Sequence, residues 1–176
     1  AFEDFAAVAA DLVARGITTP AMLGALGGSN GGLLMGAMLT RYPELFGAIV
    51  AQVPLLDMLR FHKLLAGASW TAEYGDPDVA ADRPHLRDLS PYHQLSADRS
   101  CPPVLLMTST RDDRVHPGHA RKAAARLRAL GHPVLFHENT GGGHAGASDN
   151  EQAAHNRALV HTFLWRHLAP AGEAGV

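Results

Sequence analysis

Four short apolar runs, each bounded by turn-forming residues, place the strongest constraint on how this chain can fold. Such runs are typical of parallel strands that are buried on both faces of a sheet. Segments with helical periodicity lie between them, and this alternation indicates an α/β fold, with helices on both faces of a parallel sheet. The four predicted strands are residues 21–26, 47–53, 104–108 and 134–138.

Between the strands the sequence predicts helices at about residues 5–13, 33–39 and 118–130. A last helix is predicted to start at a capping box formed by Ser148 and Glu151 and to end near Leu168. The stretch from about 55 to 95 contains three prolines and no sustained period, so an irregular insertion with short helices is expected there. Residues 169–176 are expected to form a frayed tail.

The size and charge of the chain exclude several kinds of partner. A chain of 176 residues suits one domain, and no apolar run reaches the length of about 18 residues that spans a bilayer. The formal net charge is -2 with mixed signs, which gives neither a basic face for nucleic acid nor a polybasic segment for a membrane surface. We therefore expect no nucleic-acid partner and no membrane partner. The single cysteine, Cys101, allows no intramolecular disulfide, so the fold must depend on its core.

The first predicted strand leads into Gly27-Gly28-Ser29-Asn30-Gly31, and a predicted helix follows. This is the Gly-x-Ser-x-Gly pattern of a nucleophile elbow, in the strand-to-helix context that an elbow requires. A serine on such a sharp turn has strained backbone angles, and glycines allow the strand and the helix to approach without a Cβ clash. The turn would expose the Ser29 hydroxyl and direct the backbone N–H of Asn30 at a developing oxyanion.

A serine hydroxyl needs a base to accept its proton, so the elbow predicts a carboxylate and a histidine later in the chain. Asp112 follows the third predicted strand, and His144 follows the fourth within a glycine-rich segment. Loops that follow parallel strands meet at one edge of the sheet, which can bring both groups to Ser29. Spacing alone does not distinguish Asp112 from Asp113. The one that does not orient the histidine would point away, pairing with an arginine or capping the turn.

We expect no cofactor and no metal. His116 and His119 have the spacing of a metal-binding pair, but no cysteine cluster or acidic partner completes a set of ligands.

Taken together, these residues resemble the prolyl oligopeptidase family of serine peptidases. The resemblance runs from Phe2 to about Leu168, and several motifs follow one another in the family's order and approximate spacing. The matching motifs are residues 27–34, 57–63, Trp70, Tyr74-Gly75, 90–92, 112–115 and 143–144.

The resemblance implies an α/β-hydrolase fold and a peptidase acting on short peptides, after proline, through an acyl-enzyme on Ser29. It implies that Asp112 is the triad acid and that Asn30 supplies one oxyanion N–H. Arg114 would bind a carbonyl of the peptide. The pocket for the proline ring would be lined by Trp70, which stacks on the ring, and by Tyr74, Val115 and Leu55.

Two departures from the family pattern alter these expectations. Ala66 stands where a larger aliphatic residue is typical, which predicts a wider pocket with a looser grip on proline. The resemblance also implies a β-propeller, earlier hydrolase strands and a tyrosine that donates to the oxyanion, none of which this sequence contains. We therefore expect the C-terminal part of an α/β-hydrolase domain, whose exposed sheet edge pairs with an earlier part of the same polypeptide or with a second copy.

Two alternatives remain open at the level of the sequence. An esterase or lipase-like hydrolase could use the same triad, because the triad does not itself choose between ester and amide. An inactive truncated scaffold could retain the three residues without a complete oxyanion hole.

Overall fold

The computed structural model describes residues 1–169, in which four parallel strands form one sheet in the order β1-β2-β3-β4. The strands are β1 (Gly24–Gly28), β2 (Ala48–Gln52), β3 (Val104–Ser109) and β4 (Val134–Asn139). Each strand pairs in parallel with the next one along the chain. Of the tail predicted at 169–176, residues 170–176 lie outside the described residues.

Helices connect the strands and follow the last one. The α-helices are α1 (Phe2–Ala14), α2 (Asn30–Arg41), α3 (Thr71–Tyr74), α4 (Arg83–Leu89), α5 (Pro91–Gln94), α6 (Gly118–Ala129) and α7 (Asn150–Leu168). Short 3-10 helices occupy Pro20–Met22, Pro43–Leu45, Phe61–Lys63 and Leu65–Trp70. The long segment between β2 and β3 thus contains only short helices.

The two central strands, β2 and β3, are buried on both faces, as their apolar runs predict, whereas Leu26 of β1 and Leu135 of β4 are half exposed. In β2, Ile49 and Ala51 pack into a core with α1, α2 and α6. The alternate side chains, Ala48 and Val50, pack on the other face against α7. Because successive side chains of a strand point to opposite faces, a strand covered on both sides must be apolar throughout. The predicted α/β fold with helices on both faces is confirmed.

The first strand begins later than predicted. Residues 21 and 22 belong to a 3-10 turn that starts at Pro20, and Met22 is half exposed. Proline has a fixed φ and no N–H to give to a ladder, so it favours this turn over a strand. The strand instead extends to Gly28, which places Ser29 directly at its end.

The capping residue of α7 also differs from the prediction. Asp149, not Ser148, is the N-cap, and its Oδ1 accepts a 2.8 Å hydrogen bond from the N–H of Gln152. Ser148 Oγ donates to Asp149 Oδ2. A carboxylate at this position both satisfies a free N–H and interacts favourably with the helix dipole.

Within the described residues, β1 has a strand neighbour on one side only, and Leu26 at this edge is half exposed. Pairing of this edge with an earlier part of the polypeptide or with a second copy stays a prediction. The described part of the chain has no helix that is both long enough and apolar enough to cross a bilayer.

Candidate active site

Ser29 lies on a sharp turn between β1 and α2. Its backbone angles, φ 58° and ψ -116°, belong to a sparsely populated region for any residue other than glycine. The surrounding hydrogen bonds maintain this conformation: Ser29 N–H donates to the carbonyl of Gln52, and the N–H of Gly32 donates to the carbonyl of Ser29, both at 2.9 Å. Such strain is typical of functional sites, where the rest of the fold compensates for it.

Two glycines, Gly27 and Gly32, allow this turn to form. The glycines of the Gly-x-Ser-x-Gly pattern are instead Gly27 and Gly31. A Cβ on Gly27 would collide with the carbonyl group of Gly31, and a Cβ on Gly32 would come within 2.6 Å of Pro54. A Cβ on Gly31 would meet no atom within 4 Å. The expectation that glycine is needed on both sides is therefore right for Gly27 and wrong for Gly31. Gly31 takes part in the close approach through its carbonyl group, and a Cβ there would meet no atom.

Ser29, His144 and Asp112 form a continuous hydrogen-bonded chain. Ser29 Oγ lies 3.0 Å from His144 Nε2. On the other side of the imidazole, His144 Nδ1 lies 3.0 Å from Oδ1 and 2.9 Å from Oδ2 of Asp112. The predicted residues meet at the carboxyl ends of β1, β3 and β4, where three loops converge.

The structure distinguishes the two adjacent aspartates. The side chain of Asp112 has no exposed surface, and its Oδ1 also accepts 2.9 Å hydrogen bonds from the N–H groups of Arg114 and Val115. These contacts fix the carboxylate in one orientation and satisfy its charge. Asp113 is exposed, and among the ion pairs of residues 1–169 none joins it to Arg114.

Asn30 is the first residue of α2, directly after Ser29. The first four N–H groups of a helix have no acceptor within the helix, so the N–H of Asn30 is available to a ligand at this end. Its side chain has a separate role, because Oδ1 accepts a 2.6 Å hydrogen bond from the hydroxyl of Tyr74.

A cavity of about 370 Å³ opens beside Ser29 and Asn30. The five residues predicted to form the substrate pocket all line it: Leu55, Trp70, Tyr74, Arg114 and Val115. Ala66 lines the same cavity, as its place in the sequence pattern implies. Ser69 and Glu73 also line it and were not predicted, although each directly precedes a residue that was.

One wall of this cavity is formed by residues 61–75, which we call the cavity arm. Phe61 is fully buried, and its ring packs edge to face on Tyr74 with the centroids 5.7 Å apart. Trp70 and Tyr74 both pack on a buried cluster that includes Leu55 and Val115. Burial, and to a lesser extent the charge of Glu73, raises the pKa of Tyr74 to about 12, so the phenol remains a donor.

A second cavity, of about 560 Å³, lies on the other side of Ser29. It extends past His144 along α7 and reaches Leu26 at the β1 edge. No local pattern in the sequence indicates this cavity, because it is formed by residues from all four strands and from α7.

His116 and His119, which have the spacing of a metal-binding pair, each accept hydrogen bonds from backbone N–H groups. His119 Nδ1 accepts hydrogen bonds from the N–H groups of Leu56 and Asp57, and His116 Nδ1 accepts one from Gly118. Burial lowers the pKa of His119 to about 4, which keeps its imidazole neutral.

Within residues 1–169, one group brings potential metal-ligating atoms within 4.8 Å of one another: His62, Asp76 and Asp78. Lys63 Nζ lies 2.9 Å from Asp78 Oδ1, and His62 Nε2 lies 3.2 Å from Asp78 Oδ2. The lysine ammonium already neutralises the exposed carboxylate, so we assign this group as an ion-pair cluster.

Comparisons with known proteins agree on one family. The model of the prolyl oligopeptidase family matches residues 1–171. An uncharacterized peptidase of Sinorhizobium fredii is 47% identical over 95% of this chain, which covers 23% of that protein. Prolyl oligopeptidase A of Galerina marginata is 40% identical over 95% of this chain, which covers 23% of that protein.

The solved structure of a post-proline cleaving enzyme from Rickettsia typhi superposes with a TM-score of 0.93 at 41% identity. The match covers 96% of this chain and 24% of that one. The chain therefore spans about a quarter of the length of the relatives that it matches, and its sheet corresponds to part of their α/β-hydrolase catalytic domain.

Proposed function

The chain belongs to the prolyl oligopeptidase family, and from this premise we propose that it carries the catalytic residues of a serine peptidase acting on short peptides. Ser29 is the nucleophile, His144 the general base and Asp112 the acid that orients the histidine. The observation that carries the proposal is the contact of 3.0 Å between Ser29 Oγ and His144 Nε2, with Asp112 on the far side of the imidazole. Residues 1–176 would then be part of a peptidase catalytic domain.

In the proposed reaction, His144 Nε2 accepts the hydroxyl proton as Ser29 Oγ attacks the carbonyl carbon of the scissile bond. The imidazolium then gives this proton to the leaving amine, and an ester to Ser29 remains. A water molecule then attacks the ester carbonyl while His144 Nε2 accepts its proton. His144 returns this proton to Ser29 Oγ as the ester bond breaks, and the carboxylic acid product leaves. Asp112 accepts a hydrogen bond from the Nδ1–H of His144 throughout, which keeps Nε2 free as the base and stabilises the imidazolium.

The N–H of Asn30 is placed to stabilise the oxyanion that forms during each attack. It stands at the start of α2, where the helix dipole favours negative charge, and it belongs to the residue after the nucleophile. Stabilisation of this kind is worth about 10²–10³ in rate for each donor.

The cavity beside Ser29 suits a proline ring before the scissile bond. A flat indole such as that of Trp70 complements a pyrrolidine ring, and the guanidinium of Arg114 can donate to a peptide carbonyl. The names of the Galerina marginata oligopeptidase and of the Rickettsia typhi enzyme both refer to cleavage at proline. Ala66 leaves more room than a larger aliphatic residue, so we propose a preference for proline rather than an absolute requirement.

Labelling tests the nucleophile. A fluorophosphonate probe applied to the complete gene product is expected to modify Ser29 and no other serine, because only an activated serine reacts. Ser29→Ala should abolish the labelling, and a variant of a serine distant from His144, such as Ser96→Ala, should retain it. Labelling that persists in Ser29→Ala would contradict the proposal.

Substrates of two classes then test the reaction. The peptidase proposal predicts cleavage of an amide bond after proline. An ester hydrolase with the same triad would react with the probe and cleave activated esters, but would leave the peptide intact.

A further inference from the structure

The segment that carries His144 has little of its own to hold it in place. We call residues 140–149 the histidine loop; four of its ten residues are glycine, at positions 141, 142, 143 and 146. Glycines bury no side chain and have a wide choice of backbone conformations. Within the loop, the N–H of Gly146 donates to the carbonyl of Gly143 at 2.9 Å and closes a turn around His144. Contacts from outside the loop set where this turn lies, and so help to keep His144 Nε2 at 3.0 Å from Ser29 Oγ.

Asn139, the last residue of β4, makes those contacts from a buried position. Its Oδ1 accepts a 2.9 Å hydrogen bond from the N–H of Gly141, near the start of the loop. Its Nδ2 donates to the carbonyl of Gly146, beyond His144, at 2.5 Å. The same nitrogen donates its second hydrogen to Gln152 Oε1, in the first turn of α7, at 2.9 Å.

These three bonds fix the orientation of the amide. Gly141 offers a donor, whereas Gly146 and Gln152 offer acceptors, so exchanging the oxygen and nitrogen of Asn139 would break all three contacts. One side chain thus joins both arms of the loop to each other and to α7.

We propose that Asn139 is a positioning residue, which clamps the two arms of the histidine loop and so holds His144 at the distance from Ser29 that proton transfer requires. This inference rests on the proposed function. It adds a residue that touches neither the substrate nor the reacting atoms.

Neighbouring side chains also bond to the loop. Gln152 Oε1 accepts a 2.9 Å hydrogen bond from the N–H of Ser148. Asn156 of α7 donates to the carbonyl of Gly146 at 2.8 Å, and Ser109 Oγ donates to the carbonyl of Gly142. Each of these residues holds one arm of the loop. Within the described residues, Asn139 is the side chain that bonds to backbone on both sides of His144.

Asn139→Asp tests the clamp with almost no change of shape. The carboxylate keeps an acceptor for Gly141 but loses both donors, and it places a negative oxygen against the acceptors of Gly146 and Gln152. A displacement of about 1 Å at a reacting group costs about 10²-fold in rate. In the complete gene product we expect kcat to fall by about 10²-fold, with KM for a proline peptide changed by less than about threefold, because the cavity is formed by a different segment.

Asn156→Asp is the matched control, since it makes the same chemical change beside the same carbonyl. It holds one arm only and is less buried, so its carboxylate can turn towards solvent, and we expect less than about a fivefold loss of kcat. Gln152→Ala removes one acceptor of Asn139 together with the acceptor of the Ser148 N–H, so it loosens the second arm of the loop and should lower kcat by about tenfold at unchanged KM. If Asn139→Asp does not fold, Asn139→Ala decides the matter, because it removes the same three contacts without adding a charge and should also lower kcat at unchanged KM.

Three results would overturn the clamp: kcat within about threefold of the unaltered enzyme in Asn139→Asp, an equal loss in Asn156→Asp, or a loss that appears in KM alone. Labelling of Ser29 in the unaltered protein distinguishes failure of the proposed function from failure of the clamp. If Ser29 does not react at all, the proposed function fails. If Ser29 reacts equally fast with and without Asn139→Asp, only the clamp fails.

Discussion

The histidine loop and the cavity arm face Ser29 from two sides and are held by different kinds of contact. The histidine loop is glycine-rich and is fixed by directional hydrogen bonds, above all those of Asn139. The cavity arm has mixed polarity, and packed aromatic side chains hold it against the cavity, with the ring of Phe61 fully buried behind Tyr74.

The difference corresponds to what each region is proposed to do. Proton transfer depends on the distance between two atoms, and hydrogen bonds restrain both distance and direction. Recognition of a ring depends on shape and apolar area, for which packed side chains are sufficient. Substitutions on the loop side should therefore alter kcat, and substitutions on the arm side should alter substrate preference.

The largest effect is expected at Asp112. Asp112→Asn replaces the acceptor of His144 Nδ1–H with a group that can favour the wrong tautomer, and a change of this kind costs on the order of 10⁴ in kcat. KM should change little, because Asp112 does not line the cavity. Steady-state kinetics on a proline peptide measures both constants.

Asp113→Asn is the control for this substitution. Asp113 is exposed, so its substitution should alter kcat by less than about threefold. The reverse ranking of the two variants would move the orienting role to Asp113 and contradict the geometry.

The next largest effect concerns stability on the arm side, at His119. Its Nδ1 accepts hydrogen bonds from the N–H groups of Leu56 and Asp57, next to the cavity residue Leu55. Burial lowers the pKa of His119 to about 4 in the folded protein, against about 6.5 for an unperturbed histidine. The unfolded chain therefore binds the proton more readily, and the stability that neutral His119 provides is present above pH ~6.5 and is lost as the pH falls towards 4.

Between pH 7 and 4.5 this loss should be on the order of 2 to 3 kcal/mol. His119→Asn provides the comparison, because its Oδ1 can replace Nδ1 as an acceptor and does not titrate. Urea unfolding at both pH values should show a smaller decrease in the free energy of unfolding for the variant. Equal decreases in the two proteins would mean that His119 does not carry the effect.

A third prediction measures the arm as a recognition surface. Trp70→Ala removes the indole face from the cavity and should lower kcat/KM for a proline peptide by about 10- to 100-fold, the equivalent of burying one aromatic side chain. For the same peptide with alanine before the scissile bond, the loss should be smaller. Equal losses for both peptides would show that Trp70 supports the fold and does not recognise the ring.

The sequence predicted the loop side and the arm side for different reasons. Ser29 and His144 follow from local patterns, a Gly-x-Ser-x-Gly turn and a glycine-rich segment after a strand. The strands follow from their uninterrupted apolar runs. Leu55, Trp70 and Val115 carry no such local pattern, and the resemblance to a family was needed to group them.

Other features cannot be predicted from sequence patterns, because they depend on tertiary contacts. The clamp by Asn139 joins a strand end to a loop and a helix, and nothing in the residues around it indicates those partners. The cap of α7 was misplaced by one residue, because Ser148 and Asp149 are both good N-cap residues and only the path of the chain decides between them. Pro20 begins a 3-10 turn that delays the start of β1, and the apolar run by itself does not indicate this turn.

The smallest predicted effect tests whether the two regions are as separate as this comparison makes them. The Tyr74 hydroxyl donates to Asn30 Oδ1 at 2.6 Å and so connects the cavity arm to the residue whose N–H is proposed to stabilise the oxyanion. Tyr74→Phe keeps the ring on Phe61 and removes this one bond, which is worth about 0.5–1.5 kcal/mol, or a factor of about 2 to 13. If the bond steadies Asn30, kcat should fall by that factor while KM for a proline peptide stays nearly constant. Because the pKa of Tyr74 is raised to about 12, the effect should be the same at pH 7 and pH 9.

Asn30→Ala leaves the backbone N–H but removes the acceptor, so adding Tyr74→Phe to it should cause no further loss. Additive losses in this double-mutant cycle would show that Tyr74 acts on the substrate alone and that the arm does not contribute to the chemistry.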